Sequence, residues 1–143
     1  MFANLPWLLV LAVALTISPG AAGAESATVV RIVDGDTFDV RFRDGRTERV
    51  RLEAARGVWI DAPETGDRAK CQRERELGAK ATERVTTLLQ AREVDIAAKA
   101  ARDRYGRTVA RVTLGGRDLG GMLVAEGIAR TYTAAGKKPD WCR

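Results

Sequence analysis

Residues 38–52 read Phe-Asp-Val-Arg-Phe-Arg-Asp-Gly-Arg-Thr-Glu-Arg-Val-Arg-Leu, and this stretch decides the fold. Phe38, Val40 and Phe42 alternate with Asp39, Arg41 and Arg43. That period of two turns one face of a strand to a core and the other to water. Asp44-Gly45 is a hairpin dipeptide, because glycine accepts the positive φ that the turn requires. From Thr47 to Leu52 the alternation resumes, with Val50 and Leu52 apolar. The stretch is therefore an antiparallel pair. Residues 27–33, Ala-Thr-Val-Val-Arg-Ile-Val, are rich in β-branched side chains and supply a third strand before it.

Downstream the period changes. Between Gln72 and Gln90, Leu77, Ala81, Val85, Leu88 and Leu89 recur at three- and four-residue spacings, with Arg73, Glu74, Lys80, Glu83 and Arg84 on the other faces. This is the pattern of an amphipathic helix. Val94–Ala97 and Val109–Leu114 read as strands, the second ended by Gly115-Gly116. A short helix is predicted from Asp118, a good N-cap, to Gly127, a good stop, with Leu119, Met122 and Leu123 facing inward. Thr133 to Arg143 reads as irregular, and the chain carries no internal repeat. Three strands, a helix, two strands and a helix describe a mainly β (α+β) domain. The order suits a five-stranded Greek-key barrel of the OB-fold kind with two to three packed α-helices.

The N-terminal segment differs from the rest. Leu5–Ile17 is almost wholly apolar, too short to span a bilayer comfortably, and Ala22-Gly23-Ala24 offers the small-x-small pattern of a cleavage site. Residues 1–24 are read as a signal peptide, with an N-terminal anchor as the alternative, and residues 25–143 as the mature domain. The expected location is secreted or periplasmic, with no stable membrane association after cleavage.

All the charge lies beyond residue 24: Lys plus Arg number 24 and Asp plus Glu 19, a net charge of +5. With a pI near 9.7, the domain suits a polyanionic partner, because phosphate contacts release condensed counterions. The chain has no histidine. Ser-His-Asp triads, His-activated thiols and His-ligated zinc are thereby excluded. Cys71 and Cys142 are an even pair, so in an exported chain a single disulfide is expected. Any chemistry must run on carboxylates, arginines, lysines, tyrosines and a metal that the carboxylates hold.

Four clusters meet that specification: Asp34-Gly35-Asp36-Thr37, Asp61-Ala62-Pro63-Glu64-Thr65, Asp103-Arg104-Tyr105-Gly106-Arg107, and the arginines Arg49, Arg51 and Arg56. A hard divalent cation needs carboxylate oxygens, for which Asp36 and Asp61 are candidates. Phosphodiester hydrolysis also needs an activated water, a task for Glu64, and guanidiniums that neutralise the phosphate.

The ordered motifs Asp-Gly-Asp-Thr, Arg-Leu, Asp-Ala-Pro-Glu and Asp-Arg-Tyr-Gly-Arg, over about residues 27–132, resemble the staphylococcal nuclease (thermonuclease-like) family. The resemblance implies Asp36, Asp61 and the Ala62 carbonyl as Ca2+ ligands, Glu64 as general base, and Arg107 as the arginine on the scissile phosphate. It also implies Tyr105, and farther along Tyr132, as residues of the nucleotide site. Family members cut the bond to the 5′-oxygen of single-stranded DNA, RNA and, more slowly, duplex. The expectation is therefore a monomeric, exported, Ca2+-dependent nuclease acting on DNA or RNA, single strands preferred. A non-catalytic OB-fold module that binds nucleic acid or protein is the alternative.

The chain departs from the family in three places. The second catalytic arginine is Arg51 by its place before Leu52, or Arg56 by its spacing to Asp61. Arg51 is favoured, because strand register decides which face a side chain occupies. The segment between Leu52 and Asp61 is about five residues longer than the resemblance implies. The third helix of the family is cut short, and many relatives lack Cys71, so a Cys71–Cys142 bridge would brace the loop after Glu64.

Overall fold

The computed structural model describes residues 23–54, 58–98, 102–133 and 135–143. The signal-peptide reading and Arg56 therefore lie outside the described residues, apart from Gly23 and Ala24.

Strand β1 (Glu25–Asp34) pairs antiparallel with β2 (Thr37–Phe42), and β2 with β3 (Thr47–Leu52). The alternation works as the spacing requires: Phe38, Val40 and Phe42 are buried, while Arg41 is exposed. The hairpin turns at Gly45, whose φ of 89° is available at little steric cost to glycine. β1 breaks register between Val29 and Arg31 and again between Ile32 and Asp34. Such bulges add local twist, which helps a sheet curl toward closure.

Two further strands, β5 (Glu93–Ala98) and β6 (Thr108–Leu114), extend the sheet from β1. β6 then pairs in parallel with β3, Val50 against Thr108 and Arg51 against Val109, which closes the five-stranded barrel. Val29, Phe38, Val50, Leu52, Val94, Ile96 and Val112 fill its interior with the apolar face of α1 (Gln72–Leu89) against them. The buried stripe of α1 is Glu74, Gly78, Ala81, Val85 and Leu89, whereas Leu77 and Leu88 are half-buried.

The second helix, α2 (Leu119–Ala125), follows the two-residue strand β7 (Arg117–Asp118). Asp118 caps it by accepting from Gly121 N at 2.7 Å, and the chain leaves through Gly127 at φ 73°. Leu119 and Leu123 point inward as the sequence predicts. Met122 is only half-buried, and Gly120 takes the close contact, since a Cβ there would meet Ile60 Cδ1 at 2.2 Å.

Three short strands are absent from the sequence reading, β7 and a pair that forms a sheet apart from the barrel. β4 (Trp59–Asp61) and β8 (Arg130–Tyr132) form a small antiparallel sheet of their own, Trp59 opposite Tyr132 and Asp61 opposite Arg130. Within it, the Ile60 carbonyl accepts from Arg51. After β8 the described residues form no helix or strand, in line with an irregular tail. Cys142 in that tail is disulfide-bonded to Cys71, the N-cap of α1, across a sequence separation of 71. Closing a loop of that length removes unfolded-state entropy worth roughly 4 kcal/mol. Among the described residues no helix is long and apolar enough to cross a membrane.

Candidate active site

The junction of β1 and β2 is a tight turn in which Asp36 N donates to Asp34 Oδ1 at 3.2 Å. Gly35 is required there by close approach: a Cβ would meet Ala62 Cβ at 2.7 Å and Ala81 Cβ at 2.9 Å. The turn aims the Asp36 carboxylate inward. One oxygen accepts from Thr37 Oγ1 at 2.9 Å, and the other from Ala62 N at 2.8 Å. Burial raises the Asp36 carboxyl above its ordinary pKa, although Arg51 beside it pulls the other way.

Arg51 lies on the face of β3 opposite Val50 and Leu52, yet it too is buried, because β4 and Asp36 cover it. Its Nη2 donates to Ile60 O at 2.7 Å and stands 4.0 Å from Asp61 Oδ1. Its Nη1 is 2.7 Å from Asp36 Oδ2, an ion pair whose angle makes no hydrogen bond among the described residues. The guanidinium therefore stands between the two aspartates with one donor still uncommitted.

Asp61 ends β4, and its two oxygens face the tail. Lys138 Nζ is 2.8 Å from Oδ1, and Trp141 Nε1 donates to Oδ2 at 2.8 Å. Burial opposes the Lys138 charge, but its contact with Asp61 outweighs that, so its pKa stands above the ordinary lysine value. Glu64 follows three residues after Asp61, partly exposed, with Arg68 Nε 3.3 Å from one oxygen and Lys138 Nζ 4.0 Å from the other.

The backbone at Glu64 is held by α1. Glu74, buried in the first turn, accepts from Glu64 N at 3.3 Å and from Lys70 N at 2.7 Å. Gly78, one turn on, leaves room for the loop: a Cβ there would meet Glu64 O at 2.2 Å and Pro63 O at 3.0 Å. These contacts are backbone and cannot swing aside. Gly78→Ala is therefore expected to lower stability by about 1–3 kcal/mol through overpacking and to displace Glu64. Thermal unfolding measured beside nucleotide release checks both effects, and an unchanged Tm would contradict the contact.

Arg107 closes the opposite wall. Asp103 organises its turn: Oδ1 accepts from Tyr105 N and Arg107 N, both at 2.9 Å, while Oδ2 pairs with Arg107 Nε at 2.7 Å. Burial acts to raise the Asp103 pKa, and these donors override it, leaving the carboxyl below its ordinary value. Gly106 at φ 76° completes the turn. Tyr105 is 66% exposed, with its ring against the guanidiniums of Arg104 and Arg107.

A cleft of about 420 Å³ is the result, with Arg49, Arg51, Glu64, Tyr105, Arg107 and Lys138 in its walls. A second hollow of about 520 Å³ shares Tyr105, Arg107 and Lys138 with it and adds Trp59, Arg104 and Tyr132. The expected site residues Arg51, Glu64 and Arg107 thus share the first hollow, Tyr105 lines both, and Tyr132 lies in the second. Asp36 and Asp61 flank the Arg51 guanidinium, and Asp61 lines a further hollow with Glu64 and Lys138. At Ala62 the contact with Asp36 runs through the N–H. Among the described residues no three acidic side chains converge into a ready-made metal cage.

Sequence reasoning missed Lys138, Trp141, Arg68, Glu74 and Gly78. A signal existed for Glu74, which stands three residues after the N-cap Cys71, the spacing of a capping carboxylate.

Residues 54–141 match the family model described as staphylococcal nuclease homologue. A micrococcal nuclease of Shigella flexneri is 36% identical over 138 residues, covering 90% of this chain and 71% of its own length. A thermonuclease of Staphylococcus intermedius is 36% identical over 108 residues, covering 74% of this chain and 59% of its own length. Protein ParB of Escherichia coli is 33% identical over 139 residues, covering 91% and 70% respectively. With its closed barrel, its ordered aspartate and arginine motifs and these matches, the chain belongs to the staphylococcal nuclease homologue family.

Proposed function

We propose that the chain is a Ca2+-dependent nuclease that hydrolyses phosphodiester bonds of DNA or RNA in this cleft. The observation that carries the reading is the meeting of Arg51, Arg107 and Glu64 around one cleft, with Asp36 and Asp61 beside the Arg51 guanidinium. In this reading the two guanidiniums offset the charge of a phosphate in the cleft, Arg51 beside its aspartates and Arg107 with the donors that Asp103 does not hold. Glu64, in the cleft lining with its backbone N–H held by Glu74, takes a proton from the attacking water. As negative charge grows on the phosphate, the arginines gain more than they do with ground-state substrate.

The residues fit a hard divalent cation. Asp36 and Asp61 offer only oxygen, and the Lys138 ammonium already stands in for a cation between Asp61 and Glu64. Asp36, Asp61 and the Ala62 carbonyl would hold Ca2+, which when bound polarises the phosphate and offsets its charge. The hollow lined by Trp59, Tyr105 and Tyr132 suits unstacked bases, which favours single-stranded substrate. The Cys71–Cys142 bridge suits an oxidising compartment, in keeping with residues 1–24 as an export signal and residues 25–143 as a domain that acts as a monomer outside the cytoplasm.

The test is release of acid-soluble nucleotides from single-stranded DNA, with Ca2+ and with chelator, beside Glu64→Ala. Release should require Ca2+ and fall by roughly 10²–10⁴-fold in the variant. Folded protein that binds DNA and releases nothing would instead be a non-catalytic binding module.

A further inference from the structure

The segment that carries Lys138 is anchored three ways. Cys142 is bonded to Cys71 at the start of α1. Trp141 is buried, with Nε1 on Asp61 Oδ2 at 2.8 Å. Arg130, on β8, lays its guanidinium 4.1 Å from the Trp141 ring centre and donates to Asp140 O at 3.0 Å. The tail is thereby pinned beside Asp61, and Lys138 reaches its carboxylate from there.

The position of the ammonium matters. Asp61 Oδ2 is engaged by Trp141, so Oδ1 is the oxygen left for a cation, and Lys138 Nζ is 2.8 Å from it. The same Nζ lies 4.0 Å from Glu64 Oε1. An ammonium and a divalent ion cannot both occupy contact distance from one carboxylate oxygen without strong mutual repulsion. The Lys138 side chain is 52% exposed, so it has open cleft to swing into.

We propose that Lys138 is a built-in competitor for the divalent metal, a specificity-determining residue that holds Asp61 until the ion displaces it and so sets the concentration at which metal loads. This rests on the metal reading given above. The pinned tail keeps the ammonium near after displacement, so the opposition persists in the loaded state. Removing the charge should tighten metal binding, the reverse of what loss of a ligand or a structural support would do.

The experiment titrates the full chain with Tb3+, a luminescent stand-in for Ca2+, and then displaces it with Ca2+ itself. Indole sensitises bound Tb3+, and the Trp141 ring is held against Asp61. Lys138→Met keeps the apolar stem and is expected to lower half-saturation on the order of tenfold for both ions. Lys138→Arg, which keeps the charge, should stay closer to the parent, and Asp61→Asn should abolish the signal. Equal half-saturation in the parent and Lys138→Met, weaker binding in Lys138→Met, or an equal gain in Lys138→Arg would each overturn the proposal. Absence of saturable binding in every variant would remove the metal reading and this proposal with it, whereas equal binding removes the proposal alone.

Discussion

Replacing Arg51 by alanine is expected to cost about 3–5 kcal/mol of stability and to remove measurable turnover at the same time. Asp36 and Asp61 are buried, and the Arg51 guanidinium is the cation between them, 2.7 Å from one and 4.0 Å from the other. Without it Asp36 keeps its bonds from Thr37 and Ala62 but loses its counter-charge in a largely buried site. Ile60 O also loses its donor, and with it a side-chain tie between β3 and β4. For a domain of this size the Tm should fall by more than about 10 °C. Lysine is no remedy, because one ammonium cannot serve Asp36 and the Ile60 carbonyl in the geometry of a planar fork. The measurement is thermal unfolding beside nucleotide release. A variant that is inactive but unshifted in Tm would mean that Arg51 serves only the substrate.

Arg107→Ala should behave in the opposite way, losing roughly 10²–10³-fold in kcat with the fold intact. The turn that holds Arg107 rests on backbone donors to Asp103, from Tyr105 N and Arg107 N, and these survive the substitution. Its side-chain ion pair is partly exposed, and such pairs contribute less than about 1 kcal/mol. What goes is a guanidinium in the cleft wall facing Arg51 and Glu64. Because the proposed gain arises as charge builds on the phosphate, kcat should fall far more than KM rises. Equal losses in kcat and in substrate affinity would show that Arg107 holds substrate and no more.

The barrel was legible where local patterning and tertiary burial agree. The period-two runs from Phe38 to Leu52, the Asp44-Gly45 turn and the Asp118 cap each say the same thing at both levels. β4 and β8 were not legible. Each is three residues long, and neither has a face to display until it finds the other about 70 positions away in sequence. The arginine question shows the same limit from another side. Register placed Arg51 on the far face of β3, but only β4 explains why a charged side chain there is buried. Lys138 lay in a stretch without period or motif, and it reaches Asp61 because the tail is pinned beside that carboxylate. Helix propensity alone marks Gly78 only as a destabilising residue within α1. Its use is visible only when the Glu64 carbonyl is seen where its Cβ would be.

The parallel ladder between β3 and β6 has a further consequence. Arg51 sits within that seam, opposite Val109, and Arg107 stands at the mouth of β6, one residue before Thr108. The two guanidiniums therefore belong to separate ribbons until the barrel shuts. A chain with its seam open carries every acidic group of the site but has no jaw with which to bite a phosphate. On the proposed reading, the capacity to cut is certified by completion of the fold: a half-made or frayed molecule is harmless to the nucleic acid around it. On the same reading a phosphodiester held between the arginines would staple the seam closed, so the substrate would help to guard the shape that cuts it.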